Sequence, residues 1–117
     1  MHNELGKIYV RPWGTYQTLA LQDGYQIKIL NVSPQGRLSL QKHAKRSEHW
    51  IVTKGAPTLT VGDTSKIYTR GQYLYIPRDA VHRIENFTTE MCTLIEVQIG
   101  EYLGEDDIIR LEDIYQR

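Results

Sequence analysis

Turn signals recur along this chain at intervals that leave room for one short strand between them, and this spacing is the strongest constraint on its fold. Asp23-Gly24, Ser33-Pro34-Gln35-Gly36, Lys54-Gly55-Ala56-Pro57, Gly62-Asp63, Arg70-Gly71 and Pro77 each interrupt regular structure. Glycine does so through its access to positive φ, and proline through its fixed φ and missing N–H. Between these breaks lie segments 15–21, 25–32, 58–61, 65–69, 72–76, 81–85 and 91–99, each short and strand-like, with 91–99 the most apolar. Asp23-Gly24 between two such segments is a hairpin signal. In the second segment Tyr25, Ile27 and Ile29 share one face, while Gln26, Lys28 and Leu30 share the other. The pattern predicts an all-β domain, either a barrel or a sandwich. Residues 11–14 read as a turn and 1–7 as a loose arm, His2 included. The tail from 104 is open between a helix, with Ile108, Leu111 and Tyr115 as its stripe, and a short strand.

At 117 residues a single domain, 1–117, is expected. The 14 basic and 14 acidic residues cancel, so nothing electrostatic argues for a nucleic-acid or membrane-surface partner. No apolar run approaches the ~20 residues that span a bilayer. The one cysteine, Cys92, cannot form an internal disulfide and reads as a small apolar residue, and a reducing cytoplasmic setting is expected.

The chemistry concentrates in 36–55 and 71–86. Gln41 and His43 point the same way on an extended chain, whereas Glu48 has the wrong parity to join them on an unbroken strand. The polar Ala44-Lys45-Arg46-Ser47 segment absorbs the mismatch as a turn, so the strand restarts with Glu48 inward. His82 follows the break at Pro77. Imidazole, carboxylate and amide oxygen converging from two segments make Gln41, His43, Glu48 and His82 candidate ligands of one divalent metal ion. His49 is expected to face away. Trp13 and Trp50 are expected to anchor the core, with Trp50 on Glu48's face and able to line the pocket. Leu38 and Leu40 oppose the Gln41/His43 face, which suggests a sandwich or a dimer contact.

These two stretches resemble the paired motifs of the cupin superfamily, with Gln41 in place of the usual first histidine. Closer still, Arg11-Pro-Trp-Gly-Thr-Tyr, Leu38-Ser-Leu-Gln-Lys-His, Arg46-Ser-Glu-His-Trp-Ile-Val, Tyr75-Ile-Pro, His82-Arg-Ile-Glu-Asn, Ile95-Glu-Val-Gln and Tyr102-Leu-Gly-Glu-Asp-Asp-Ile are similar to the type II mannose-6-phosphate isomerase domain. In that family the domain usually follows a mannose-1-phosphate guanylyltransferase domain, and no guanylyltransferase activity is expected of this sequence. The chain departs from the pattern at Lys42, Ala44, Lys45, Asp79, Phe87-Thr88 and Gln116. The resemblance implies a small single-domain jelly-roll β-barrel, a sugar-phosphate substrate, zinc as the ion and a homodimer. The ligand types alone also admit manganese, iron, cobalt or nickel.

With Glu48 as its one anionic ligand, such a site keeps about one net positive charge and suits a reaction that develops an oxyanion. Isomerisation of mannose 6-phosphate to fructose 6-phosphate through an enediol is such a reaction. Glu96 shares a strand face with Gln98; buried there, its pKa would rise and it would serve as proton shuttle. Arg46 and Glu96 are the candidate catalytic residues. Lys28, Trp50, Tyr75, Gln98, Arg110 and Arg117 are the candidate substrate-binding residues, the cations for a phosphate dianion. Two histidines and a carboxylate also match the arrangement of iron-dependent oxygenases, and a sugar-binding cupin without turnover is a third reading.

Overall fold

The computed structural model describes residues 2–115 and contains eleven strands and no helix among them. In chain order these are β1 Ile8–Arg11, β2 Gly14–Gln22, β3 Tyr25–Val32, β4 Leu40–Lys42, β5 Arg46–Lys54, β6 Thr58–Val61, β7 Thr64–Ile67, β8 Tyr73–Ile76, β9 His82–Glu85, β10 Cys92–Gly100 and β11 Ile109–Glu112. They form two antiparallel sheets, a six-stranded one in the order β1-β2-β3-β10-β5-β8 and a five-stranded one in the order β11-β4-β9-β6-β7. No helix among the described residues is long and apolar enough to cross a membrane.

The expected breaks fall where the strands end. Asp23-Gly24 closes the β2–β3 hairpin, and Gly62-Asp63 closes β6–β7. Two expectations are corrected, and the open reading of the tail is decided. Residues 8–11 are a strand paired with β2, and the turn narrows to Pro12-Trp13. The first residues are docked: Asn3 is buried against Gln26 and Tyr16, and Leu5 bridges to Thr18. His2 packs edge-on against Tyr102. The tail forms a strand because its backbone completes the edge beyond β4, pairing Arg110 with Gln41. Gln116 and Arg117 lie outside the described residues.

Register across the large sheet sets a polarity inside the barrel. The inward positions of β3 run Gln26, Lys28, Leu30, Val32, and those of β10 run Gln98, Glu96, Leu94, Cys92. Those of β5 run Arg46, Glu48, Trp50, Val52. Leu30, Leu94 and Val52 therefore form one row, with Lys28, Glu96 and Trp50 in the next and Gln26, Gln98 and Glu48 beyond. One end is an apolar core, completed by Trp13, Tyr16, Leu59, Ile76 and Ile84. Burying each such large apolar side chain contributes about 1.5–3 kcal/mol. The other end holds buried polar groups, which are tolerable only where they are paired.

Leu38 does not share Leu40's face. Leu38 and Ser39 are not in strand conformation, so alternation restarts at β4; Leu38 packs on the core and lines the internal cavity, while Leu40 faces outward. The apolar outer row lies elsewhere, where Ile27 and Ile29 of β3 stand half-buried beside Val97 and Ile95 of β10.

Gly14 begins β2 with φ +149°, and a Cβ there would lie 1.9 Å from the Asn31 backbone oxygen. No side chain can rotate away to relieve that contact. Gly14→Ala is expected to cost about 2–4 kcal/mol, read as a lowered urea midpoint with an unchanged slope.

Candidate metal centre

Glu48 sits at the middle of the polar end and is 1 % exposed. The bend at Ala44-Lys45 lets β5 begin at Arg46, which turns Arg46 and Glu48 inward together. Glu48 Oε2 lies 3.3 Å from His43 Nε2 and accepts a 2.9 Å hydrogen bond from Arg46 Nε. Its Oε1 lies 3.7 Å from His82 Nε2 and accepts the indole N–H of Trp50 at 3.2 Å. One ligand atom from each of His43, Glu48 and His82 lies within 4.8 Å of the others, and all three residues are buried. This cluster can hold a metal ion.

The donor set fits such an ion because the backbone orients both rings. His43 Nδ1 lies 2.6 Å from the Asp107 carbonyl oxygen, and His82 Nδ1 lies 2.9 Å from that of Ala80. A carbonyl only accepts, so both Nδ1 atoms carry a proton, which leaves Nε2 of each ring as the atom directed at Glu48, the orientation a metal requires. His43 Nε2 also lies 3.2 Å from Arg46 Nη2. Burial, then the nearby Arg46, lowers the His43 pKa to about 4, so the ring is neutral at physiological pH. Asp107 also fixes the bend, accepting the amides of Ala44 at 3.1 Å and Lys45 at 2.9 Å. Gln41 lines the same cavity, in register with His82.

Glu48 and Glu96 are driven apart in proton affinity. Burial opposes ionisation of Glu48, but Arg46 and His82 overcome it and hold its carboxyl below the usual range. Glu96 is pushed up by burial and then by the Glu48 charge, against the pull of Lys28 and Arg46. Trp50 spans the pair, its indole N–H also donating to Glu96 Oε2 at 3.0 Å. Behind Glu96 the hydrogen bonds all run one way: Asn3 Nδ2 to Gln26 Oε1, Gln26 Nε2 to Gln98 Oε1, and Gln98 Nε2 to Glu96 Oε1.

Of the other candidates, Lys28, Arg46, Trp50 and Arg110 line the cavity. Two expectations are corrected. Tyr75 is 51 % exposed and contacts His49 on the outer face of β8, because parity with the buried Ile76 turns it outward. Gln98 does not line the cavity; it is fully buried in the row beyond Glu96 and supports it. Arg117 lies outside the described residues. Sequence reasoning missed Arg11, Ser39, Arg83 and Glu105, which also line the cavity, and Asp107. For Glu105 and Asp107 the signal was the Tyr102-Leu-Gly-Glu-Asp-Asp-Ile block, one of the stretches that carry the resemblance.

The family model for the mannose-6-phosphate isomerase C-terminal domain matches residues 1–113. The chain belongs to this family. It is 48 % identical over 107 residues to the alginate biosynthesis protein AlgA of Pseudomonas aeruginosa, covering 92 % of this chain and 22 % of AlgA. It is 47 % identical over 111 residues to the xanthan biosynthesis protein XanB of Xanthomonas campestris, covering 95 % of this chain and 24 % of XanB. A mannose-1-phosphate guanylyltransferase of Sinorhizobium fredii is 47 % identical over 110 residues, covering 94 % and 22 %. The chain thus spans under a quarter of the length of these curated relatives. In fold it is a cupin. It superposes on Bacillus subtilis oxalate decarboxylase with a TM-score of 0.81 at 16 % identity, over 91 % of this chain and 30 % of that one. A cupin-2 domain from Rhodospirillum rubrum gives 0.68 at 20 % identity, over 80 % and 67 %.

His43→Ala or His82→Ala is expected to abolish stoichiometric metal in a folded protein, measured by elemental analysis beside circular dichroism. Asp107→Ala, which frees the bend without touching a ligand atom, should weaken metal affinity by about 10- to 100-fold in a chelator competition.

Proposed function

We propose that this chain is a metal-dependent mannose-6-phosphate isomerase, interconverting that sugar phosphate and fructose 6-phosphate through an enediol. The observation that carries this reading is the pair of buried carboxylates with opposed proton affinities beside two oriented histidines in one cavity. Such a split separates the group that stays charged from the one that exchanges a proton.

His43, Glu48 and His82 would hold the ion, with the Gln41 amide oxygen as a further donor, and zinc is the ion the family likeness favours. When bound, the ion polarises the sugar carbonyl and stabilises charge developing on oxygen. Glu96 is the proton carrier: burial and then Glu48 raise its proton affinity against the pull of Lys28 and Arg46, which favours a carboxyl that can hold a proton at Oε2. Trp50 holds that oxygen in place. Arg46 keeps Glu48 ionised and, with Lys28 and Arg110, presents positive charge to the phosphate. The same reading makes the protein a cytoplasmic homodimer. The outer row of Ile27, Ile29, Ile95 and Val97 supports pairing better than Leu38 and Leu40 do.

A coupled assay for fructose 6-phosphate tests the reading. Turnover is expected with metal-loaded protein, to vanish on chelation and to return with divalent ion. Glu96→Gln should lower kcat by about 10²- to 10⁴-fold with metal content unchanged. Absence of turnover at full metal occupancy would overturn the proposal.

A further inference from the structure

The cavity as it stands is too small for its proposed ligand. Its volume is about 90 Å³, whereas pockets that hold small molecules run to about 300 Å³ or more. Something lining it must move, and the charges single out one side chain. Lys28 Nζ lies 3.1 Å from Glu105 Oε2, and Arg46 Nη1 lies 3.7 Å from the same oxygen. The two cations are buried, their side chains 5 % and 6 % exposed, while the Glu105 side chain is 31 % exposed. Glu105 is therefore the member of the cluster that can leave for water at least desolvation cost.

The cavity wall is also short of acceptors. Arg46 Nη1, Arg83 Nη2 and Ser39 Oγ are buried without a hydrogen-bond partner among the described residues. Each belongs to a residue lining this cavity. Buried donors left unpaired are costly. Five cationic residues line the space, Arg11, Lys28, Arg46, Arg83 and Arg110, against the three carboxylates Glu48, Glu96 and Glu105. The wall thus carries an excess of donors and of positive charge, and one half-buried carboxylate partly covers it.

We propose that Glu105 is a built-in occupant of an anion subsite made by Lys28 and Arg46, and that a phosphate group enters by displacing it. The Glu105 carboxylate imitates part of the ligand, holds the two buried cations together in the resting protein, and swings outward when a dianion with more acceptor oxygens takes its place. Its departure opens the mouth of the cavity at the point where the sugar must pass. This rests on the isomerase reading only for the identity of the sugar; the subsite itself is defined by its charges.

Inorganic phosphate is the probe, titrated by calorimetry into the folded full chain, so the result does not depend on turnover. Glu105→Gln keeps the shape and removes the competing charge, and should tighten phosphate binding by about tenfold. Glu105→Asp, which withdraws the carboxylate from the cations, should tighten it by less. Lys28→Met in the Glu105→Gln background should abolish the gain. If Glu105→Gln does not fold, the Asp variant decides by the same measure. Unchanged or weaker phosphate binding in these Glu105 variants overturns the proposal even if the protein isomerises mannose 6-phosphate. Tighter binding without isomerisation sustains it while removing the isomerase reading.

Discussion

The organisation of the polar end depends on a single ionised carboxylate kept in the interior. A lone charge at the position of Glu48 would be expelled or neutralised. It is kept because the Arg46 guanidinium and the Trp50 indole N–H both donate to it. Every neighbour then inherits a constraint. Arg46 must be inward two residues earlier on the same strand, which requires the bend before it, and that bend is tied down by Asp107 from a distant loop. His43 must be neutral with Nε2 forward, which the Asp107 carbonyl secures. The charge at Glu48 in turn pushes Glu96 toward its protonated form, so one buried anion shapes both the ligand set and the candidate acid.

The barrel makes this affordable by segregating its interior. The strands that carry Leu30, Leu94 and Val52 at one level carry Lys28, Glu96 and Trp50 at the next. Apolar packing thus holds the same backbones that aim the polar groups. A site built on strand interiors is positioned by the pleat and register of the sheet, with little freedom left to the side chains. The exception is the 101–108 segment, which has no partner strand and supplies both the support for His43 and the cover over Lys28 and Arg46.

Much of this was legible in the sequence, for definite physical reasons. The Asp-Gly and Pro breaks act locally, so the hairpins fell where expected. Parity is a property of one strand, so the inward turn of Glu48 and the outward turn of His49 could be read without partners. The failures share a different cause. Leu38 departs from the expected alternation because it and Ser39 lie outside β4, and alternation holds only within a strand. Tyr75 was misread because the apolar residues beside it, and not Tyr75, face the core. Gln98 has the right face but the wrong level, and level along a barrel is fixed by register between strands. The strand at 109–112 and the burial of Asn3 arise from contacts made by residues far apart in the chain, which local pattern does not encode. Arg11 was invisible as a site residue for the same reason.

The hydrogen-bonded row of Asn3, Gln26 and Gln98 has a bearing on isotope flow. Carboxamides can hold a neighbour in orientation, but they do not hand protons along as water or hydroxyl chains do. Among the described residues the rear of Glu96 is therefore closed off by carboxamides, and its exchange is directed toward the cavity that it lines. On the proposed isomerase reading, a hydrogen lifted from one carbon of a bound sugar would stay with its carrier until the next carbon claims it, so label would be conserved within the molecule more than washed into water.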